Sequence, residues 1–200
     1  LHTVGRDEEA VRLLTRSLEL RPSHAAASNM GTIQFARGRY AEAARAFEQA
    51  LALDARDYRV WRNLAISCRW APGQSARAAA AFERAALLAE EQLRVNPKDA
   101  AVLADLADCH AALGQRKRAQ AELVRALALA PEDVEVLRVA GAAYEQLGDR
   151  EAALRFIGRA LARGFPPALI EKDPALEALR ADPRYARPAP VTGQGAGGAS

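Results

Sequence analysis

The stretch that decides the fold is residues 100–133, AAVLADLADCHAALGQRKRAQAELVRALALAPED, because the residues after it repeat its pattern. Gly114 is matched by Gly148 and Ala119 by Ala153, both at a spacing of thirty-four. A fixed period of this length indicates an internal repeat.

Each repeat is predicted to be two helices joined by a turn. Apolar side chains recur at helical spacing before and after a break at Gly114, which can adopt the left-handed conformation that ends a helix. Pro131 cannot continue the second helix. One helical hairpin cannot bury its own apolar stripe, so the copies must stack on one another.

This pattern resembles the tetratricopeptide repeat (TPR). The residues that carry the resemblance are Leu103, Leu106, Ala107, His110, Ala119, Leu123, Ala126, Leu127 and Pro131, and, in the next copy, Leu137, Ala140, Gly141, Tyr144, Ala153, Ile157, Ala160 and Leu161. The resemblance implies an all-α fold, a right-handed α-solenoid of helical hairpins with about four and a half repeats and a C-terminal capping segment.

We predict that residues 1–185 form the array of repeats and that residues 186–200 form a tail. Within the array we predict a half repeat at 4–23, with Gly5 in the turn slot, repeats at 24–57, 58–99, 100–133 and 134–167, and a cap at 168–185. A half repeat leaves an open edge, so we expect more chain before it. The tail is Pro, Gly and Ala without core-forming residues and is predicted to be disordered.

The third repeat departs from the pattern, because its second helix continues to Val95 and Pro97 ends it seven residues late. Seven residues are close to two turns, so the apolar stripe returns to nearly the same side and the helix gains about 10 Å. Two interpretations stay open: a tolerated lengthening that projects into solvent, or a ledge that contacts a neighbouring domain or partner.

Composition and charge argue against several classes of function. The net charge of +3 comes mainly from Arg interleaved with Glu, which is typical of a solvated helix surface, so no nucleic-acid partner is expected. No apolar run approaches the roughly twenty residues of a membrane span, so we expect a soluble, cytoplasmic chain. Cys68 and Cys109 fit buried apolar positions, and no catalytic, metal or cofactor site is expected.

The closing segment, Gly164-Phe165 followed by D-P-x-L-x-x-L-R-x-D-P-R-Y, resembles the terminal cap of TPR arrays in multidomain bacterial signalling proteins such as Ser/Thr kinases, cyclases and regulators. The resemblance implies a C-terminal interaction arm of a larger protein. Both Asp-Pro pairs, at Asp173 and Asp182, are predicted to begin helices. Leu176 and Leu179 are predicted to cover the open face of the last repeat.

The TPR resemblance implies that the first helix of each unit lines a concave groove that binds an extended or helical peptide. The groove positions carried over are Asn29, Thr32, Arg59, Arg62, Asn63, Arg69, Trp70, Asp105, Asp108, Glu135 and Arg138. The Asn amides can donate to and accept from a peptide backbone, and the Arg side chains would attract carboxylates or phosphates. This predicts a groove that is basic at one end and acidic at the other. The alternative is that these charges form an ordinary solvated helix face.

The predicted function is therefore a non-catalytic scaffold that binds a protein or peptide. Two alternatives are kept. The chain could be the regulatory region of an enzyme, such as a Ser/Thr kinase, whose active site lies upstream. It could also self-associate through the open edge at residues 4–22.

Overall fold

A computed structural model describes the backbone of residues 2–185 and the side chains of residues 9–185. The predicted disordered tail, residues 186–200, lies outside the described residues. The described chain is helical throughout. Its helices are α1 (His2–Leu20), α2 (His24–Ala36), α3 (Tyr40–Leu53), α4 (Tyr58–Trp70), α5 (Ser75–Val95), α6 (Ala100–Ala112), α7 (Arg116–Leu129), α8 (Val134–Gln146), α9 (Arg150–Ala162), α10 (Pro167–Lys172) and α11 (Glu177–Arg180), with a 3-10 turn at Pro174–Leu176.

The even-numbered helices α2 to α8 each begin at a capping side chain. Ser23, Asp57, Asp99 and Asp133 accept a hydrogen bond from the backbone N–H three residues further on. Each cap satisfies a donor that the first helical turn leaves open, which is typically worth about 1 kcal/mol. The caps recur at the repeat period, except across the third unit, where the lengthened second helix widens the interval between Asp57 and Asp99.

The helices pair as α2/α3, α4/α5, α6/α7 and α8/α9. Gly114, between α6 and α7, has φ +72, which confirms the predicted left-handed turn position. Two further glycines allow close packing inside a hairpin: a Cβ on Gly31 would lie 2.6 Å from the ring of Phe47, and one on Gly141 would lie 2.6 Å from the side chain of Ile157. Only glycine allows the two helices this separation.

The core is a seam that runs along the stack. One large side chain from the second helix of each hairpin fills the same position, and each is at most 2% exposed: Phe47, Phe82, Leu123 and Ile157. Alanines surround them, so neighbouring helices approach closely. The predicted all-α stack of helical hairpins is confirmed for the described residues.

The lengthened helix of the third unit packs partly on the fourth unit. α5 has 21 residues, against 14 in α3 and α7. Glu90, in the added part, pairs with Arg118 of α7 at 2.6 Å, and Leu93 packs against two apolar clusters. Val95 at the tip is 87% exposed. The added part of α5 therefore does not simply project into solvent, because one of its faces packs on the fourth unit while Glu91, Gln92, Arg94 and Val95 are exposed.

The closing segment covers the end of the stack. Leu176 and Leu179 are fully buried in one cluster with Ile157 of α9, as predicted. Asp173 caps the 3-10 turn by accepting the N–H of Ala175 at 2.9 Å. In contrast, the pair at Asp182 begins no helix, because its carboxylate binds the backbone and side chain of Arg184 in a bend.

A further correction concerns the N-terminal half repeat. α1 runs from His2 to Leu20 without interruption, so Gly5 lies inside the helix and the turn predicted there is wrong. Within residues 2–185, no helix is both long and apolar enough to cross a membrane.

Candidate interaction surface

An open pocket of about 330 Å³ lies where α4, α6 and α8 face one another. Three units contribute to it, with charged side chains around alanine and valine walls. Its lining consists of Arg59, Arg62, Asn63, Ala101, Ala104, Asp105, Glu135, Val136, Arg138 and Val139. We call it the charged pocket.

A buried polar network holds α4 against α6 beside this pocket. Arg62 donates from Nε to Oδ2 of Asp108 at 2.7 Å, and its Nη1 lies 3.6 Å from Oδ1 of Asp105. The side chains of Arg62 and Asp108 are only 11% and 4% exposed. Tyr58 donates its hydroxyl to Oδ2 of Asp105 at 3.0 Å. The side chains of α4 and α6 therefore neutralise and orient one another at the pocket wall.

The network continues to α8 through Gln146. Its amide donates to the second oxygen of Asp108 at 2.5 Å, and its carbonyl accepts from Arg69 at 2.7 Å. Arg69 also donates to the backbone oxygen of Ala112 at 3.3 Å and lies 4.8 Å from the ring centroid of Phe82. The polar network thus links the third, fourth and fifth units; its members are Tyr58, Arg62, Arg69, Asp105, Asp108 and Gln146.

Burial and neighbouring charges shift the pKa values of three members of the polar network, Arg62, Arg69 and Tyr58. Desolvation acts to lower the pKa of Arg62, but the carboxylates of Asp108 and Asp105 outweigh it and raise that pKa above its ordinary value. For Arg69 burial dominates and lowers the pKa, partly offset by Asp108. Burial and the nearby Asp105 raise the pKa of Tyr58, so its hydroxyl stays protonated and can donate.

A second, smaller pocket of about 90 Å³ lies between α2 and α4. Thr32, Phe35, Phe47, Asn63 and Ile66 line it, and we call it the apolar pocket. Asn63 borders both pockets. One side chain of α4 therefore stands between a charged and an apolar concavity on neighbouring hairpins.

Comparison with known proteins agrees with this architecture. Two family models, both described as tetratricopeptide repeat, match residues 25–57 and 70–139, together just over half of the chain. The chain belongs to the tetratricopeptide repeat family. No curated protein matches it.

Three solved structures are similar to the chain, and the first of them shows the same fold. The chain is similar to TTC0263, a thermophilic TPR protein of Thermus thermophilus, at 24% identity and a TM-score of 0.58, with 88% of this chain and 93% of that chain covered. It is also similar to MamA, at 19% identity and a TM-score of 0.48 over 81% of this chain and 91% of that chain. A third similar structure is YrrB, described as a TPR protein with an unusual peptide-binding site, at 22% identity and a TM-score of 0.47 over 82% and 81%.

The predicted groove residues of this TPR array divide into four groups. The charged pocket brings together Arg59, Arg62, Asn63, Asp105, Glu135 and Arg138, and Thr32 lines the apolar pocket with Asn63. Asp108 and Arg69 belong to the polar network behind the surface. Asn29 and Trp70 line neither of these two pockets.

Two expectations about charge are wrong. The groove does not have a basic end and an acidic end, because Arg62 pairs with Asp105 and Asp108, while Arg138 pairs with Glu135 at 2.9 Å. The alternative of a solvated helix face also fails for the buried Arg62 and Asp108. Acid and base lie on adjacent helices and neutralise each other locally.

Sequence reasoning missed several contributors to the pockets. Phe35 and Phe47 shape the apolar pocket, and small apolar residues of α6 and α8 form walls of the charged one. In the polar network it also missed Tyr58, although a usable signal existed: Tyr58 directly follows the capping Asp57 and so had to lie in the first turn of α4. Among the described residues, no group of acidic, His or Cys side chains could hold a metal ion.

Proposed function

We propose that this chain is a non-catalytic TPR scaffold that binds a segment of another protein along the surface formed by α2, α4, α6 and α8. In this proposal the units 24–57, 58–99, 100–133 and 134–167 are the binding modules, and the segment 168–185 closes the array. The observation that carries it is the pair of adjoining pockets, charged and apolar, that share Asn63.

The construction of the pockets supports binding without large rearrangement. The polar network fixes α4, α6 and α8 through hydrogen bonds that are already formed, so little of the binding free energy would be needed to order the site. The pocket walls combine apolar contact with a few placed polar groups, which is the usual composition of binding sites.

The experiment is selection of random dodecapeptides displayed on phage, followed by calorimetry with the selected peptides. Ala101→Arg places a long side chain at the charged pocket, while Ala121→Arg makes the same change at an exposed position of α7 outside it. We expect the first variant to lose binding and the second to keep it. Equal affinities for both variants, or no selected peptide at all, would contradict the proposal.

A second candidate is self-association, favoured by one observation. Leu13 and Leu20 of α1 are 65% and 69% exposed, although Leu18 of the same helix packs on the core. An apolar edge of this kind is a candidate contact for another copy. Light scattering of the native chain and of Leu13→Glu tests it: a native dimer that the substitution dissociates supports it, and a native monomer at high concentration rejects it.

We also propose that the array is the interaction arm of a larger bacterial protein; the alternative is that it is the regulatory region of an enzyme, such as a Ser/Thr kinase, whose catalytic domain lies upstream. The support is the resemblance of the closing segment to the caps of TPR arrays in multidomain signalling proteins. The gene sequence upstream of residue 1 separates the two, because a kinase or cyclase signature there would support the regulatory region and further repeats would support the arm.

A further inference from the structure

The apolar pocket is suited to one aliphatic side chain. Phe35, Ile66 and Phe47 line it, and Phe47 is only 1% exposed. Its volume of about 90 Å³ is smaller than the cavity of about 150 Å³ that accepts a benzene ring. A Val, Leu, Ile or Met side chain therefore fits it better than an aromatic one.

The charged pocket has one cation, Arg59, that is only partly engaged by its neighbours. Arg62 is paired with Asp105 and Asp108, and Arg138 with Glu135. Arg59 lies at the rim with 61% of its side chain exposed. Its Nε donates to the Tyr58 hydroxyl at 3.1 Å and lies 3.8 Å from Asp105, and its guanidinium carbon lies 5.4 Å from the centroid of the Tyr58 ring. Among the described residues its two Nη groups have no hydrogen-bond acceptor. A guanidinium with both Nη groups available can bind a carboxylate through two parallel hydrogen bonds.

The two features lie a fixed distance apart on α4. Ile66 follows Arg59 by seven residues, which is two helical turns or about 10 Å. An extended peptide advances about 3.3 Å per residue, so it spans this distance in about three residues. Asn63 lies between them and offers an amide that can both donate to and accept from a peptide backbone.

We infer that the partner segment binds in an extended conformation and carries an aliphatic residue three positions from an Asp or Glu. The aliphatic side chain enters the apolar pocket, and the carboxylate pairs with Arg59. This inference rests on the proposed function, because it names the kind of segment that the same surface binds.

Two variants and two matched controls separate the two contacts. Arg59→Glu reverses the charge at the rim and leaves an acid in the first turn of α4, which the helix dipole favours. Its control is Arg84→Glu, at an exposed position of α5. Thr32→Trp places a ring at the apolar pocket, and its control is Thr15→Trp in α1, where the Thr hydroxyl makes the same kind of bond to the carbonyl four residues back.

The peptide library is selected on the native chain and on each variant. Native selection is expected to enrich an aliphatic residue three positions from an acid. Arg59→Glu should weaken these peptides about tenfold or more and shift selection at the acidic position to Lys or Arg, as expected for the loss of a charge-assisted pair. Thr32→Trp should remove the aliphatic preference and keep the acidic one. Both controls should select the native pattern.

Each other outcome is decisive. Peptides that depend on the pocket, as judged by Ala101→Arg, but lack the spaced pair would refute this inference and leave the proposed function standing. Peptides unaffected by Ala101→Arg would refute both. A native dimer that Ala101→Arg converts to a monomer would identify a second copy of the chain as the occupant, and the inference would be wrong.

Discussion

Replacing Asp108 by Ala should strongly destabilise the array, because it removes the acceptor at the centre of the polar network. Arg62 and Asp108 are 11% and 4% exposed, so the substitution leaves a buried guanidinium without its main partner. Breaking such a pair typically costs about 3–5 kcal/mol. Gln146 also loses an acceptor, worth about 1 kcal/mol, whereas Asp105, 3.6 Å from Arg62, retains part of the pairing. We expect a net loss of about 3–4 kcal/mol.

Urea unfolding, monitored by tryptophan fluorescence, measures this loss of stability with a probe close to the substituted residue. The two tryptophans, Trp61 and Trp70, both lie in α4, the helix that carries Arg62. With a slope of about 2 kcal/mol per molar urea, the midpoint should fall by about 1.5–2 M. The control is Asp54→Ala, whose carboxylate pairs with Arg56 in an exposed loop and should shift the midpoint little.

A double variant separates the network's charge from its shape. Arg62→Met with Asp108→Leu replaces the buried pair by apolar side chains of similar size, which often costs little or even stabilises. It should therefore recover most of the stability that Asp108→Ala loses. If Asp108→Ala lowered the free energy of unfolding by less than about 1 kcal/mol, the reasoning would be refuted, since a buried charge without its partner destabilises a fold by more than that.

Three further predictions concern the scaffold. Gly141→Ala should lower stability by about 1–3 kcal/mol in thermal unfolding, because its Cβ would meet Ile157, whereas Gly158→Ala meets nothing within 4 Å and should stabilise by about 0.5–1 kcal/mol. Leu179→Ala should cost about 2–5 kcal/mol and increase amide exchange in α9, since it leaves a cavity in the cap. Burial raises the pKa of Asp173 in the folded state, so its contribution to stability is present at acid pH and is lost as the pH rises through the raised pKa. Asp173→Asn should therefore stabilise the fold at pH 7, because Asn keeps the cap without the buried charge, and the advantage should be smaller at pH 4.

The fold could be predicted from the sequence because its determinants are local and periodic. The turn at Gly114, the apolar stripes and the repeat period each fix a feature within one unit, and stacking follows from the need to cover each hairpin. The exception is Gly5, where one glycine in the turn slot was not enough to interrupt α1. A single match without its neighbours is weak evidence for a turn.

The site was predicted less well because it depends on distances between units. The spacing of three between Asp105 and Asp108 indicates one face of α6, but the sequence does not show that Arg62, in the preceding unit, lies against them. The same limit applies to Asn29: Thr32, about one turn further along α2, lines the apolar pocket instead. Which turn of each helix meets its neighbour is set by the stacking offset, which no single repeat contains.

The contacts on the two sides of α6 differ in their share of polar groups, which accounts for the open charged pocket. Toward α8 an apolar cluster of Leu103, Ala104, Val136 and Val139 accompanies a single hydrogen bond among the described residues, from Gln146 to Asp108. Toward α4 the polar network forms much of the contact, and hydrogen-bond geometry sets the separation there. Apolar side chains can pack more closely, so the stable double variant of Arg62 and Asp108 should let α4 approach α6 and reduce the pocket. We expect it to bind the selected peptides at least tenfold more weakly by calorimetry, although its urea midpoint is close to native. Native affinity in that variant would show that the network supports stability alone.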